Sequence, residues 1–268
     1  MLAQQRQELI LAAIRARGAV RVADLVADLD VSDMTVRRDI ADLACRGLVR
    51  RVHGGAVDLH HATHEPGFRA KRELATDEKS AIAREAASLV TPGAAVALSA
   101  GTTTHLLAGL LAADRSLRPL TVVTNSLPAA EALHRPEDRD LTVVLTGGTR
   151  TPSDALVGPV ATQTLAGLRV DVTFLGVHGI DRDAGLTTPN LLEAETDRAL
   201  VAAAATTVVL ADRSKWGAVG LSRIVGLEDV DVLICDDGLP DEAATALRDV
   251  VGSLVLVPAP GRPVEAHR

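Results

Sequence analysis

Residues 31–57 read VSDMTVRRDIADLACRGLVRRVHGGAV, the pattern of a device that docks on duplex DNA. Just ahead of it Val22, Leu25, Val26 and Leu29 recur at i, i+3, i+4 and i+7, the apolar stripe of an amphipathic helix. Asp30, Val31 and Ser32 then make a tight turn, and Ser32 is placed to cap a second helix by accepting a bond from a backbone N–H. Two helices joined in this way form a helix-turn-helix. In the second helix Val36, Ile40, Leu43 and Ala44 share one face, so Arg38 falls nearly opposite, flanked by Met34, Thr35 and Asp42.

A recognition helix enters the major groove by its N-terminal residues, where Arg meets guanine O6 and N7 with two bonds and Thr meets a thymine methyl. Arg38, Thr35 and Met34 are therefore the expected base readers. Arg37, on the flank of the helix, and Ser32 are expected at phosphates. After Gly47, residues 48–57 read as a hairpin turning at Gly54 and Gly55, a wing that lays Arg50, Arg51 and His53 along the DNA backbone. Upstream, residues 4–17 read as a helix with Ile10, Ala13 and Ile14 inward.

Composition alone does not suggest DNA, because 28 cations face 35 anions across 268 residues. The charge is uneven. Residues 1–57 hold nine Arg against seven carboxylates, a net of +2, and the remainder carries −9. An acidic body discourages non-specific DNA binding, so affinity has to come from a local basic face, with two such faces paired in a homo-oligomer. The core is aliphatic: hydrophobic residues make up 47% of the chain, with no Tyr, one Trp and two Phe. Cys45 and Cys235 are too far apart for a local metal motif and are expected to be buried. There is no export signal and no apolar run approaching 18 residues, so a soluble cytoplasmic protein is expected, with no membrane partner.

Residues 58–75 have no clear period and read as a linker, and a helix is expected from Thr76 to about Leu89. Short aliphatic runs at 94–98, 120–124, 141–145, 171–177, 206–211, 231–235 and 253–257 then alternate with helical stretches. That alternation implies an α/β domain with a mostly parallel sheet covered on both faces. The expected boundaries are 1–57 for a DNA-binding domain, 58–75 for the linker, 76–258 for an effector-binding domain and 259–268 for a frayed, Pro-rich tail.

In a parallel sheet, ligands sit at the carboxyl ends of the strands. The first strand ends in Leu98-Ser99-Ala100-Gly101-Thr102-Thr103-Thr104, with a helix expected from near His105. Gly101 allows close backbone approach, and the hydroxyls of Thr102 and Thr103 with the amides of a helix start suit a phosphate. Other strand ends carry Asn125, Gly147 with Gly148, His178, Asp181, and Asp212 with Lys215. Lys215 supplies a cation, and Asn125, Asp181 or Asp212 suits sugar hydroxyls. No metal or organic cofactor site is read from the chain.

These motifs resemble the DeoR-type bacterial transcription regulators over nearly the whole chain. The resemblance is carried by TVRRDIADLACRGLVRRVHGGA from Thr35, then SAGTTT from Ser99, VTNSL from Val123, LTGGT from Leu145, LVGPVA from Leu156, DVTFLGVHGID from Asp171 and ADRSKW from Ala211. It implies a winged helix-turn-helix followed by a sensor domain similar to ribose-phosphate isomerase. Such a domain binds a phosphorylated sugar that relieves repression of a carbohydrate operon. It places the phosphate loop on Gly101, Thr102 and Thr103 and an Asp-x-x-Lys effector motif on Asp212 and Lys215. Many members carry Asp where this chain has Ser99. The alternative is a sugar-phosphate isomerase or deaminase with a DNA-binding head, for which Asp181, Asp183, Glu193 and Glu195 are the acids available as a base; the plainer reading has them capping helices and facing solvent.

Overall fold

A computed structural model describes residues 3–17, 19–46, 48–52, 54–58, 68, 72 and 74–259. The chain divides into two compact units, one through Pro66 and one from Gly67. Most of the expected linker, the end of the expected tail and His53 lie outside the described residues.

The first unit contains α1 (Ala3–Arg17), β1 (Ala19–Arg21), α2 (Val22–Leu29), α3 (Asp33–Cys45), β2 (Val49–Val52) and β3 (Gly55–Asp58). Its core is the expected set of stripes: Ile10 and Ile14 of α1, Val22 and Leu25 of α2, and Val36, Ile40 and Leu43 of α3 are buried together. Ala13, Val26, Leu29 and Ala44 pack on its margin. The turn closes through Asp30 at a left-handed φ of 50°. Ser32 Oγ accepts the Thr35 N–H at 3.3 Å and so caps α3.

The wing is a three-stranded antiparallel sheet in the order β1-β3-β2, one strand more than the hairpin that the sequence suggests. At its turn Gly54 takes φ 78°. A Cβ on Gly55 would lie 2.1 Å from the Val20 carbonyl oxygen, so the pairing of β1 with β3 requires glycine there. Cys45 is exposed rather than buried. It ends α3 nine residues beyond Val36, half a turn away from the core face.

The second unit runs in chain order α4 (Thr76–Ser88), β4 (Ala95–Leu98), α5 (Thr102–Ala113), β5 (Leu120–Thr124), α6 (Leu127–Leu133), β6 (Leu141–Leu145), β7 (Thr149–Arg150), β8 (Leu156–Val157) and α7 (Pro159–Ala166). It continues with β9 (Val170–Gly176), β10 (Gly179–Asp181), β11 (Gly185–Thr188), α8 (Leu191–Ala203), β12 (Ala204–Leu210), β13 (Ser222–Arg223), β14 (Val232–Asp236), α9 (Asp241–Arg248) and β15 (Ser253–Val257). The seven expected strands form one sheet in the order β15-β14-β12-β9-β4-β5-β6, with every pair parallel. Two small antiparallel sheets, β7-β8 and β10-β11-β13, were not legible, because strands of two to four residues are too short to show a period.

Side-chain alternation along the strands divides the core between two layers. Val96, Leu98, Val122, Phe174, Val208, Leu210 and Ile234 pack under α4, α5 and α6. Leu175, Val209, Leu233 and Cys235 pack under α8 and α9 on the other face, and Ala97 and Val123 join them there with Leu165 of α7. Strand order reverses at β4, since β5 and β6 lie on one side of it and β9, β12, β14 and β15 on the other. The crevice between the carboxyl ends of β4 and β9 is thus the place where a doubly wound sheet binds ligands.

Gly55→Ala tests the wing. The added Cβ meets backbone, which cannot swing aside, and the substitution is expected to cost about 1–3 kcal/mol of stability in the first unit and to weaken DNA binding. Urea unfolding followed by circular dichroism reads the loss; an unchanged midpoint with an unchanged gel-shift affinity would rule out this account of the glycine.

Candidate functional site

In the first unit the candidate DNA-reading surface is the outer face of α3. Met34 is 82% exposed there. Arg38 is exposed beside it, and Arg51 is exposed on β2, where Arg50 also lies. Thr35 is half-buried, with its hydroxyl 2.8 Å from Ser32 Oγ, so the cap engages both hydroxyls. The guanidinium of Arg37, expected at a phosphate, is held by Asp33 through Nε at 2.5 Å and Nη2 at 3.2 Å.

The orientation of α3 depends on a pair that the sequence reading missed. Asp39 is 3% exposed and accepts Arg6 Nε at 2.5 Å, Arg6 Nη2 at 3.2 Å and Gln7 Nε2 at 3.3 Å, tying α1 to α3. The carboxylate raises the Arg6 pKa through that hydrogen bond. Asp39 sits three residues past the core position Val36, where an acid on a buried flank signals a partner elsewhere.

In the second unit, the loops after β4, β5, β9 and β12 meet at one edge, because these four strands are adjacent and parallel. Helix α5 begins at Thr102, three residues earlier than expected, and its first ladder bond runs from His105 N to the Gly101 carbonyl at 3.1 Å. The amides of Thr102, Thr103 and Thr104 therefore belong to the first turn, where the ladder does not use them and the helix dipole favours an anion. Gly101 has an extended backbone, and a Cβ there would come within 3.0 Å of Thr104 Oγ1.

Two residues expected at the ligand are engaged within the protein. Ser99 is fully buried, and its Oγ accepts the Gly176 N–H at 2.8 Å, joining the ends of β4 and β9 at the crevice. Asn125 is 1% exposed; its Oδ1 accepts the Ala100 N–H at 2.9 Å and its Nδ2 donates to the Leu156 carbonyl at 3.2 Å. Both ends of the amide are thereby engaged in positioning the loop after β4.

Asp212 caps the short turn after β12, its carboxylate accepting the Ser214 N–H at 3.0 Å and the Ser214 hydroxyl. Burial works against its charge, yet Lys215, the Ser214 hydroxyl and Lys79 together hold the carboxyl below its usual range. Asp212 is thus a buried anion among cations, with Lys215 half-exposed three residues on. Lys79 is the second residue that sequence reading passed over. It is 4% exposed on α4, in line with Ile82, Ala83 and Ala86, so a lysine on the buried face of that helix was the available signal.

Other polar positions and glycines at the sheet edge have structural duties. Asp181 Oδ1 accepts the N–H groups of Asp183 and Ala184 at 2.9 Å each, shaping the turn between β10 and β11. Gly147 and Gly148, at φ 71° and 120°, serve the turn after the edge strand β6, and a Cβ on Gly148 would lie 2.5 Å from the Val157 carbonyl oxygen. Of the four acids weighed as a base, Asp183 and Glu195 are exposed, whereas Glu193 is buried and accepts the hydroxyls of Thr151 at 2.7 Å and Ser153. Glu193 braces the segment after β7 rather than facing solvent.

Family models agree with this division: a DeoR-like helix-turn-helix domain matches residues 6–62 and the DeoR C terminal sensor domain matches residues 74–237. The chain belongs to the DeoR family. It is 34% identical to a putative aga operon transcriptional repressor of Escherichia coli O157:H7, over 94% of this chain and 93% of that protein. It is 32% identical to the glycerol-3-phosphate regulon repressor of Haemophilus influenzae, over 94% of this chain and 96% of that one. These relatives are named as regulators and not as enzymes, and this DeoR-family chain is a transcriptional regulator. A solved D-ribose-5-phosphate isomerase in complex with phospho-erythronic acid superposes with a TM-score of 0.38 at 18% identity over 52% of each chain, a likeness too slight to argue from. Among the described residues no helix is long and apolar enough to cross a membrane.

Asn125→Ala tests the brace. It leaves the Ala100 N–H and the Leu156 carbonyl without their partner, at an expected cost of about 1–3 kcal/mol for each buried group. Thermal unfolding of the full chain should show the loss, and a melting temperature equal to wild type would remove Asn125 from this role.

Proposed function

We propose that this DeoR-family chain is a repressor of a carbohydrate operon, released from its operator when a phosphorylated sugar enters the crevice between β4 and β9. The observation that carries the DNA half is the outer face of α3, which presents Met34, Thr35 and Arg38 on a capped helix beside a wing bearing Arg50 and Arg51. The names of the E. coli and H. influenzae relatives support repression, and in the second case a phosphate-bearing metabolite. The domain limits we propose are 1–57 for the DNA-binding domain and 76–258 for the sensor.

For the effector, the first turn of α5 supplies backbone donors with the Thr102 and Thr103 side chains, and Lys215 supplies a counter-charge oriented by Asp212. Ser99 and Asn125 shape this loop without being spent on the ligand. Release of DNA requires only that the sugar phosphate bind the two states of the protein unequally, by about 1–3 kcal/mol. Two chains on one duplex double the electrostatic contribution of a module whose net charge is only +2, so the working form is a homo-oligomer.

Three substitutions have expected outcomes. Arg38→Ala should lose about 1–3 kcal/mol of preference for duplexes that the wild-type chain selects from a random library. Arg51→Ala should weaken binding to all sequences and flatten the salt dependence. Gel shifts in which the Arg38 variant discriminates as well as wild type, or in which one chain binds per duplex, would count against this interface. Lys215→Ala should abolish response to a sugar phosphate that releases wild type from DNA, while leaving ligand-free DNA affinity near wild type. Calorimetry with phosphorylated and unphosphorylated forms of the same sugars checks the pocket; equal affinity for both forms would refute a phosphate loop.

A further inference from the structure

We propose that Asp33 determines sequence specificity by holding Arg37 as a second reader of guanine, an inference that rests on the DNA-binding reading above. Asp33 and Arg37 are the first and fifth residues of α3, one helical turn apart on the same flank, within the stretch of a recognition helix that enters the groove. Their side chains are 54% and 48% exposed, so neither is drawn into the core.

The bonds define the pose. Nε and Nη2 of Arg37 donate to the two oxygens of Asp33 at 2.5 and 3.2 Å, which occupies one edge of the planar guanidinium. The fork presents five N–H donors, and with that edge engaged its Nη1–Nη2 end remains as a second two-donor edge. Two parallel donors are what guanine O6 and N7 accept in the major groove. A long side chain already held by a carboxylate also has less rotamer freedom to lose on docking, so the contact is preorganised.

A phosphate contact fits this arrangement poorly. A carboxylate next to a phosphate-binding arginine cancels its charge and brings an anion toward the most anionic part of the duplex. The competing account is that Asp33 only serves α3, as an acid at a helix N-terminus with an i,i+4 partner. That account predicts a uniform effect on all DNA sequences, whereas a held guanine reader predicts a change at one base pair.

The test uses the full-length chain and selection from a random duplex library, with wild type, Asp33→Ala, Asp33→Asn and Arg37→Lys compared. Wild type should select a motif in which one G·C pair of each half-site depends on Arg37. Both Asp33 variants should lower the preference for that pair about tenfold while holding overall duplex affinity within a fewfold of wild type. Arg37→Lys should lose the same preference, since a point charge cannot span two acceptors. Circular dichroism establishes that α3 is intact, and Asp33→Asn decides the matter if the alanine variant unfolds. An identical motif from wild type and both Asp33 variants, or a uniform gain in affinity for all sequences on removing Asp33, overturns the inference. If wild type selects no motif, the operator-binding reading fails first and takes this one with it.

Discussion

The parallel pairing of β4 with β9 is the constraint on which the second unit depends. These strands are separated by more than 70 residues of chain, yet they run side by side at the point where the order of the sheet reverses. Because every pair in the sheet is parallel, all the following loops are delivered to one edge, and at this crevice two neighbouring loops diverge to opposite faces. The hydrogen bond from Gly176 N–H to Ser99 Oγ closes the crevice at its base. Asn125 then fixes the loop above it from the next strand, bonding Ala100 on one side and Leu156 on the other. A loop braced in this way has less freedom to lose on meeting the phosphate we propose for it.

The same logic governs the reader helix. A short helix packed through four or five aliphatic side chains can roll on its neighbours, since apolar contacts have no direction. Directional bonds supply what packing lacks: Ser32 sets where α3 begins, and the buried Asp39 pins it to Arg6 and Gln7 of α1. Charged groups are costly to bury unless paired with good geometry, and here the cost is offset by a two-bond clamp. The exposed face is thereby aimed as a unit, with Met34 and Arg38 outward and Arg37 turned onto Asp33.

Polar residues at the strand ends illustrate the limit of reading them from sequence. Ser99, Asn125, Asp181 and Asp212 all have the chemistry of a ligand group, and in the folded chain each bonds to its own protein. A side chain that can bond a sugar hydroxyl can equally bond a backbone amide, and residue type does not distinguish them. Lys79 shows the reverse case, a cation hidden on the alanine face of α4 that contributes to the electrostatics of Asp212 from outside the obvious motifs.

The sequence by itself determined the two-part organisation, the helix-turn-helix with its cap, and all seven strands of the parallel sheet. Those features follow from local rules, namely the period of the apolar residues, turn chemistry and helix capping, which act over a few residues. Tertiary structure alone decided the order of the strands, the third strand of the wing, the Arg6–Asp39 clamp, and which polar groups at the sheet edge are braces. Each of these is a bond between partners 25 to 77 residues apart, or a packing choice among several compatible with the same pattern. A polar side chain carries no mark of its distant partner; only the folded backbone, by bringing the two within about 3 Å, makes that choice.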